Sequence, residues 1–123
     1  LKYINSWNND RNLSANFYLE NLTNLKKITL PTTLPHNFHT WHLFVIRVKN
    51  RNRFLDYMSS NEIDCGIHYP KMISNQKMYK KHPQYESYFE NSSDFEPGLV
   101  SFPIFPMIKK AELEYVIKTI TNY

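Results

Sequence analysis

Residues 42 to 49 read His42-Leu43-Phe44-Val45-Ile46-Arg47-Val48-Lys49. The run is β-branched and aromatic with apolar residues at both alternating positions, which predicts a strand covered on both sides. Trp41 and His42 open it and are read as helping the sheet to pack. Asn50 follows as a helix N-cap, and Phe54, Tyr57 and Met58 recur at helical spacing, so a short helix is expected over Arg53 to Ser60. On the other side, Pro31 and Pro35 end a short extended piece from Ile28 to Leu30 and force a loop. Before that loop Ile4, Trp7, Arg11, Tyr18, Leu22 and Leu25 fall on one stripe of a helix running from about Leu1 to Leu25. Arg11 lies inside the stripe, where a long cation either pairs with a carboxylate or sits at the stripe's edge, and a structural ion pair is the default expectation.

Downstream, Ile63, Cys65, Ile67 and Tyr69 alternate with Asp64, Gly66 and His68, a period of two that predicts another strand, ended by Pro70. The stretch from Asn75 to Glu90 is read as one or two short helices around Met78, Tyr79, Tyr85, Tyr88 and Phe89. Leu99 to Phe102 is a short strand ahead of Pro103 and Pro106. Leu113, Val116, Ile117 and Ile120 form the apolar face of a last helix reaching the terminus. Strands interleaved with helices, without an internal repeat, give one α+β domain: a small, mostly antiparallel sheet with helices on one face and long N- and C-terminal helices.

Composition narrows what such a domain can do. At 123 residues there is room for one modest core. Only two glycines, Gly66 and Gly98, are present, too few for a Walker loop or a dinucleotide fingerprint. The longest aliphatic stretch, Leu43 to Ile46, is far too short to span a bilayer, so no membrane partner is expected. One cysteine, Cys65, excludes an internal disulfide and any multi-thiolate metal site, and fits a reducing, cytoplasmic compartment. His36, His39 and His42 are spaced by three, but Pro35 and the strand that follows keep them off one helical face, so no metal site is read there. A net charge of +4 favours anionic ligands at long range. Two basic clusters, Arg47, Lys49, Arg51 and Arg53, then Lys77, Lys80, Lys81 and His82, read either as solvated faces or as a nucleic-acid surface, and no known nucleic-acid motif accompanies them.

The densest reactive group is Gly66-Ile67-His68-Tyr69-Pro70 at a strand end, with Gln76 and Tyr79 beyond it. Imidazole is the one side chain whose ordinary pKa lies near neutrality, and strand ends favour ligand-facing residues. On the residues alone His68 is either a satisfied structural histidine or a ligand-facing one. Strand alternation sends His68 and Tyr69 to opposite faces unless Pro70 twists the end. Gly66 shares the face of His68, where a missing side chain leaves room for a ligand, and Gly98 next to Pro97 is read as a turn only. No nucleophile-base pair, paired carboxylates or lysine in a cofactor setting is visible, so no catalytic or cofactor-binding residue is assigned in this chain.

A resemblance extends this reading. Arg11, Tyr18, Leu22, Ile28-Thr29-Leu30-Pro31, Trp41 to Arg47, Arg51, Gly66 to Pro70, Gln76, Tyr79, Ser101-Phe102-Pro103-Ile104 and Glu114-Tyr115-Val116-Ile117 occur in an order that resembles the C-terminal third of the DegT/DnrJ/StrS family. These are fold-type-I, pyridoxal-phosphate-dependent aminotransferases acting on nucleotide-linked keto sugars. The resemblance implies that the whole chain, 1–123, is the small C-terminal domain of such an enzyme and that the large pyridoxal phosphate (PLP) domain, with the cofactor lysine, is absent from it. It implies a nucleotide-sugar substrate, an amino-acid donor such as glutamate and a homodimer at full length. His68 and Tyr69 are then substrate-binding, and the chain alone is not expected to transaminate. Where the family commonly carries Pro and His, this chain has Met72 and Ser74, which removes a rigid turn and a second imidazole from the loop after Pro70. Two other readings stay open: an interaction module that binds an acidic partner through Arg47 to Arg53 or Lys77 to Lys81, and a small nucleic-acid-binding domain.

Overall fold

The computed structural model describes residues 1–79 and 96–123. Strand β1 is Ile28–Thr29, β2 is Phe44–Val48 and β3 is Leu99–Phe102. They form one antiparallel sheet in the order β1-β2-β3, with Phe44 opposite Phe102, Ile46 opposite Val100 and Ile28 opposite Val48. That register puts Phe44, Ile46, Val48, Val100 and Phe102 on one face, all buried. Val45 and Arg47, on the opposite face of β2, are half-buried. The strand therefore has one core face and one partly covered face, where the run of apolar residues predicts two covered ones.

Among the described residues three helices supply the other half of the core. Helix α1 spans Ile4–Leu22 and buries Ala15, Tyr18 and Leu22; α2 spans Arg51–Ser60 and buries Phe54 and Met58; α3 spans Lys110–Asn122 and buries Leu113, Val116 and Ile120. These side chains join the sheet's apolar face in a single cluster. Aromatic rings set its centre: Tyr18 lies 5.1 Å from Phe44 and 5.7 Å from Phe102, while Phe54 stacks on Phe102 at 6.2 Å. Such contacts add to area burial through the ring quadrupoles.

Local chemistry explains the helix ends. The Asn50 side chain accepts from the Arg53 N–H, as its position before α2 predicts. Asn61, Glu62 and Ile63 return their N–H groups to Met58 and Ser59 carbonyls, with Glu62 in the left-handed region at φ 57°. The Glu112 carboxylate reaches back to accept from the Lys109 N–H at 2.7 Å and caps the start of α3.

Several expectations are corrected. Ile4 and Trp7 lie on the stripe of α1 yet are 36% and 42% exposed, because the short sheet covers only the second half of the helix. Arg11 makes no carboxylate pair among the described residues; its guanidinium donates to the Thr40 carbonyl at 3.0 Å and to the Asn8 side chain. Residues 63–69 are not a strand: Gly66 alone bridges to Ser101. The next paired position on one side would be Asp64 with Pro103, and proline has no N–H to give. Gly98 lies in a tight turn, Glu96–Gly98, but it does more than turn, since a Cβ there would come within 2.5 Å of the Val48 carbonyl oxygen. The helices expected around Tyr85, Tyr88 and Phe89 fall outside the described residues, and residues 73–75 form a short 3-10 turn. Among the described residues no helix is long and apolar enough to cross a membrane.

Candidate functional site

A cavity of about 720 Å³ opens between residues 62–68, the end of β3 with the turn that follows it, and the first turns of α3. Its floor is apolar, made by Phe102, Pro103, Ile104 and Ile108. Polar groups gather at the wall: His42, His68 and Ser101, the carboxylates Glu62, Asp64 and Glu112, and Tyr115. Glu112 is occupied by its capping bond, and the Tyr115 hydroxyl donates to the Asn61 carbonyl at 3.2 Å, tying α3 to the end of α2. From beneath, the Tyr18 hydroxyl donates to the Pro103 carbonyl at 2.9 Å, and burial raises the phenol's pKa. This bond anchors the turn that carries the floor to α1.

His68 is held by two neighbours. Gly66 exchanges both backbone hydrogen bonds with Ser101, at 3.0 and 2.8 Å, and so sets the segment along the edge of β3. The His68 imidazole folds back over Gly66 and places Nδ1 3.1 Å from the Ser101 hydroxyl. A Cβ on Gly66 would stand 2.4 Å from Cε1 and 2.9 Å from Nδ1 of that ring. The space left at Gly66 is therefore filled by the His68 ring, where the sequence reading reserves it for a ligand. The His68–Tyr69 peptide is cis. Tyr69 is 80% exposed and is not part of the cavity wall, where His68 is. Gln76 and Tyr79 also stand away from the cavity.

Cys65, between Asp64 and Gly66, turns to the core instead of the cavity, and burial, with a smaller contribution from the Asp64 charge, pushes its thiol up to about 12. Trp41 is buried, as read, and stacks against Phe44 at 5.4 Å. His42, read as a packing residue, is instead exposed at the cavity wall, because β2 begins two residues later. His39 accepts the Trp41 N–H on Nδ1, and the described residues contain no cluster able to hold a metal ion.

The loop after Pro70 has a brace that motif reading misses. The Glu96 carboxylate accepts from the Met72 N–H at 2.8 Å and from the Asn75 side chain at 2.6 Å, while Arg51 donates to the Glu96 carbonyl at 2.8 Å. The Met72 N–H and then the Asn75 amide hold the carboxyl below its ordinary range against desolvation, with lesser help from the Lys71 and Arg51 charges. A carboxylate from a distant segment thus braces the loop. Its only sequence signal is an acidic residue opening the Glu96-Pro97-Gly98 turn. The first basic cluster is dispersed: Arg51 serves Glu96, Arg53 lies 5.9 Å over the Tyr123 ring, and Arg47 and Lys49 border a separate cleft with Lys26 and Lys27. In the second cluster Lys80, Lys81 and His82 lie outside the described residues.

A small α+β domain with this topology is found in sugar aminotransferases. It superposes on the crystal structure of Streptomyces venezuelae DesV in complex with a ketimine intermediate with a TM-score of 0.90 and 29% identity, over 99% of this chain and 33% of that one. Residues 1–121 match the DegT/DnrJ/EryC1/StrS aminotransferase family, and the chain belongs to it. It is 38% identical to a dTDP-3-amino-3,6-dideoxy-alpha-D-galactopyranose transaminase of Aneurinibacillus thermoaerophilus over 100% of this chain and 33% of that protein. It is 28% identical to a dTDP-3-amino-3,4,6-trideoxy-alpha-D-glucose transaminase of Streptomyces venezuelae, over 100% of this chain and 32% of that protein. The chain thus spans about a third of the length of these relatives.

Aminotransferases of this family are PLP-dependent, and the cavity does not fit that cofactor by itself. Among the described residues its wall has no lysine amine to link to an aldehyde and no cation to seat a phosphate, and three carboxylates would repel one. What the wall offers is directional hydrogen bonding above an apolar floor.

Proposed function

We propose that these 123 residues are the small C-terminal domain of a PLP-dependent aminotransferase that acts on a nucleotide-linked keto sugar with an amino-acid donor such as glutamate. PLP, which makes the donor's amino group transferable, is held by a large domain outside this chain, and the complete enzyme is a homodimer working in the cytoplasm. The observation that carries the reading is the oriented imidazole of His68 at the wall of a cavity of about 720 Å³, in a chain of this family. A neutral imidazole offers one directional hydrogen bond to a sugar or diphosphate oxygen without a buried charge. The apolar floor excludes water from the sugar's deoxy carbon, while Tyr69, outside the rim, meets the part of the ligand that projects from it. Both transaminases named above carry the amino group at C3 of a dTDP-linked deoxyhexose. A dTDP-linked 3-keto deoxyhexose is therefore the first substrate to test.

The test is expression of a longer reading frame that contains this chain, followed by spectroscopy with PLP and an amino-transfer assay from glutamate to that keto sugar. The expected result is a yellow protein that transfers the amino group, while the 123-residue chain stays colourless with PLP. A longer product that neither binds PLP nor transaminates overturns the proposal.

A further inference from the structure

Ser101 is 3% exposed, and both its backbone groups are committed to Gly66. Among the described residues its hydroxyl has one partner, Nδ1 of His68 at 3.1 Å. A hydroxyl carries one proton and two lone pairs, whereas a neutral imidazole carries one N–H and one bare nitrogen. If Nδ1 carried the proton, Ser101 would accept it, and its own O–H would be a buried donor without an acceptor among the described residues. If Nδ1 is bare, Ser101 donates and no donor is wasted; an idle lone pair is the more tolerable deficit. We infer that Ser101 is a positioning residue that donates to Nδ1 and thereby holds neutral His68 in the Nε2–H form, a fixed hydrogen-bond donor at the cavity wall.

Gly66 makes this possible, since any Cβ there would occupy the place of Cε1 and Nδ1. A fixed Nε2–H selects ligands that present an acceptor oxygen, such as a diphosphate, a ketone or a sugar hydroxyl, and disfavours an ammonium at that point. What His68 faces rests on the function proposed above, but the state of its ring belongs to the chain alone, so the two can fail separately.

The test is a long-range proton–nitrogen correlation spectrum of the 123-residue chain labelled in histidine, recorded at about pH 8, where an ordinary imidazole is neutral. Exposed His36 is the internal reference for a ring averaging freely between its two forms. The expected result is a wider separation of the two His68 nitrogen shifts than in His36, with Nε2 protonated. Ser101→Ala collapses that separation to the His36 value, and Ser101→Thr restores it. A His68 indistinguishable from His36 in the parent chain, a protonated Nδ1, or shifts unmoved by Ser101→Ala would overturn the inference.

Discussion

Replacing Gly98 by alanine tests whether the sheet is built on a close backbone approach. The added Cβ would lie 2.5 Å from the Val48 carbonyl oxygen and 3.0 Å from Cγ of Arg47. Ordinary contact would require the oxygen to retreat by most of an ångström, and Val48 is paired across β1 and buried at 4% exposure, so it cannot swing aside. No glycine in the described residues has a positive φ, so the alanine backbone itself is unstrained and the cost is steric. Overpacking of this kind costs about 1–3 kcal/mol, offset by about 0.4–1 kcal/mol because alanine restricts the unfolded chain. The net loss is about 1–2 kcal/mol, which for a domain of this size lowers Tm by about 3–8 °C. Gly66→Ala is the internal control. Its Cβ would come closer still, 2.4 Å, but to the tip of an exposed imidazole that can rotate away. That variant loses the contact between His68 and Ser101, which costs about 0.5–1.5 kcal/mol and is partly offset because alanine restricts the unfolded chain. Urea and thermal denaturation followed by circular dichroism compare the two. A Gly98→Ala chain as stable as the parent, or a Gly66→Ala chain less stable than Gly98→Ala, would refute the reasoning.

Four further outcomes are expected. Because the Glu96 carboxyl is depressed in the folded chain, its contribution is complete above the ordinary carboxylate range and disappears as pH falls through its folded value; Glu96→Gln flattens that acid limb of the urea midpoint. The effect stays below about 1 kcal/mol, since the group is half-exposed and screened. Cys65, with its thiol at about 12 and its side chain turned to the core, resists alkylation at neutral pH and reacts once the chain is unfolded; rapid labelling of the native chain would contradict this. Tyr18→Phe removes the bond to the Pro103 carbonyl and destabilises the chain by about 1 kcal/mol. In an alkaline absorbance titration of the parent, Tyr18 ionises after the exposed tyrosines.

The core was legible because its residues obey simple periods. Phe44, Ile46 and Val48, then Tyr18 and Leu22, then Leu113, Val116 and Ile120 announce the sheet and two of its helices, and Asn50 announces the third. Residues 63–69 show where period alone fails: alternation describes which way side chains point, but pairing needs a partner N–H, and Pro103 has none to offer Asp64. His68 was visible as a reactive residue, whereas its setting was not, since Ser101 is 33 residues away and the ring's seat depends on a missing Cβ. Glu96 was hidden for the same reason. A carboxylate that braces a loop 21 to 24 residues earlier leaves no local pattern. Arg51 belonged to a visible basic run, yet the structure uses it singly, on the Glu96 carbonyl.

The most direct test of the central claim separates the two halves of amino transfer in the longer protein. His68→Ala is compared with the parent in single turnovers, first with glutamate alone and then with the dTDP-linked keto sugar. Loss of one neutral hydrogen bond corresponds to about a 3- to 10-fold change. The account predicts that KM for the sugar nucleotide rises by that factor while the glutamate half-reaction keeps its rate. An unchanged KM for the sugar, or an equal loss in both halves, would contradict a substrate-side role for His68.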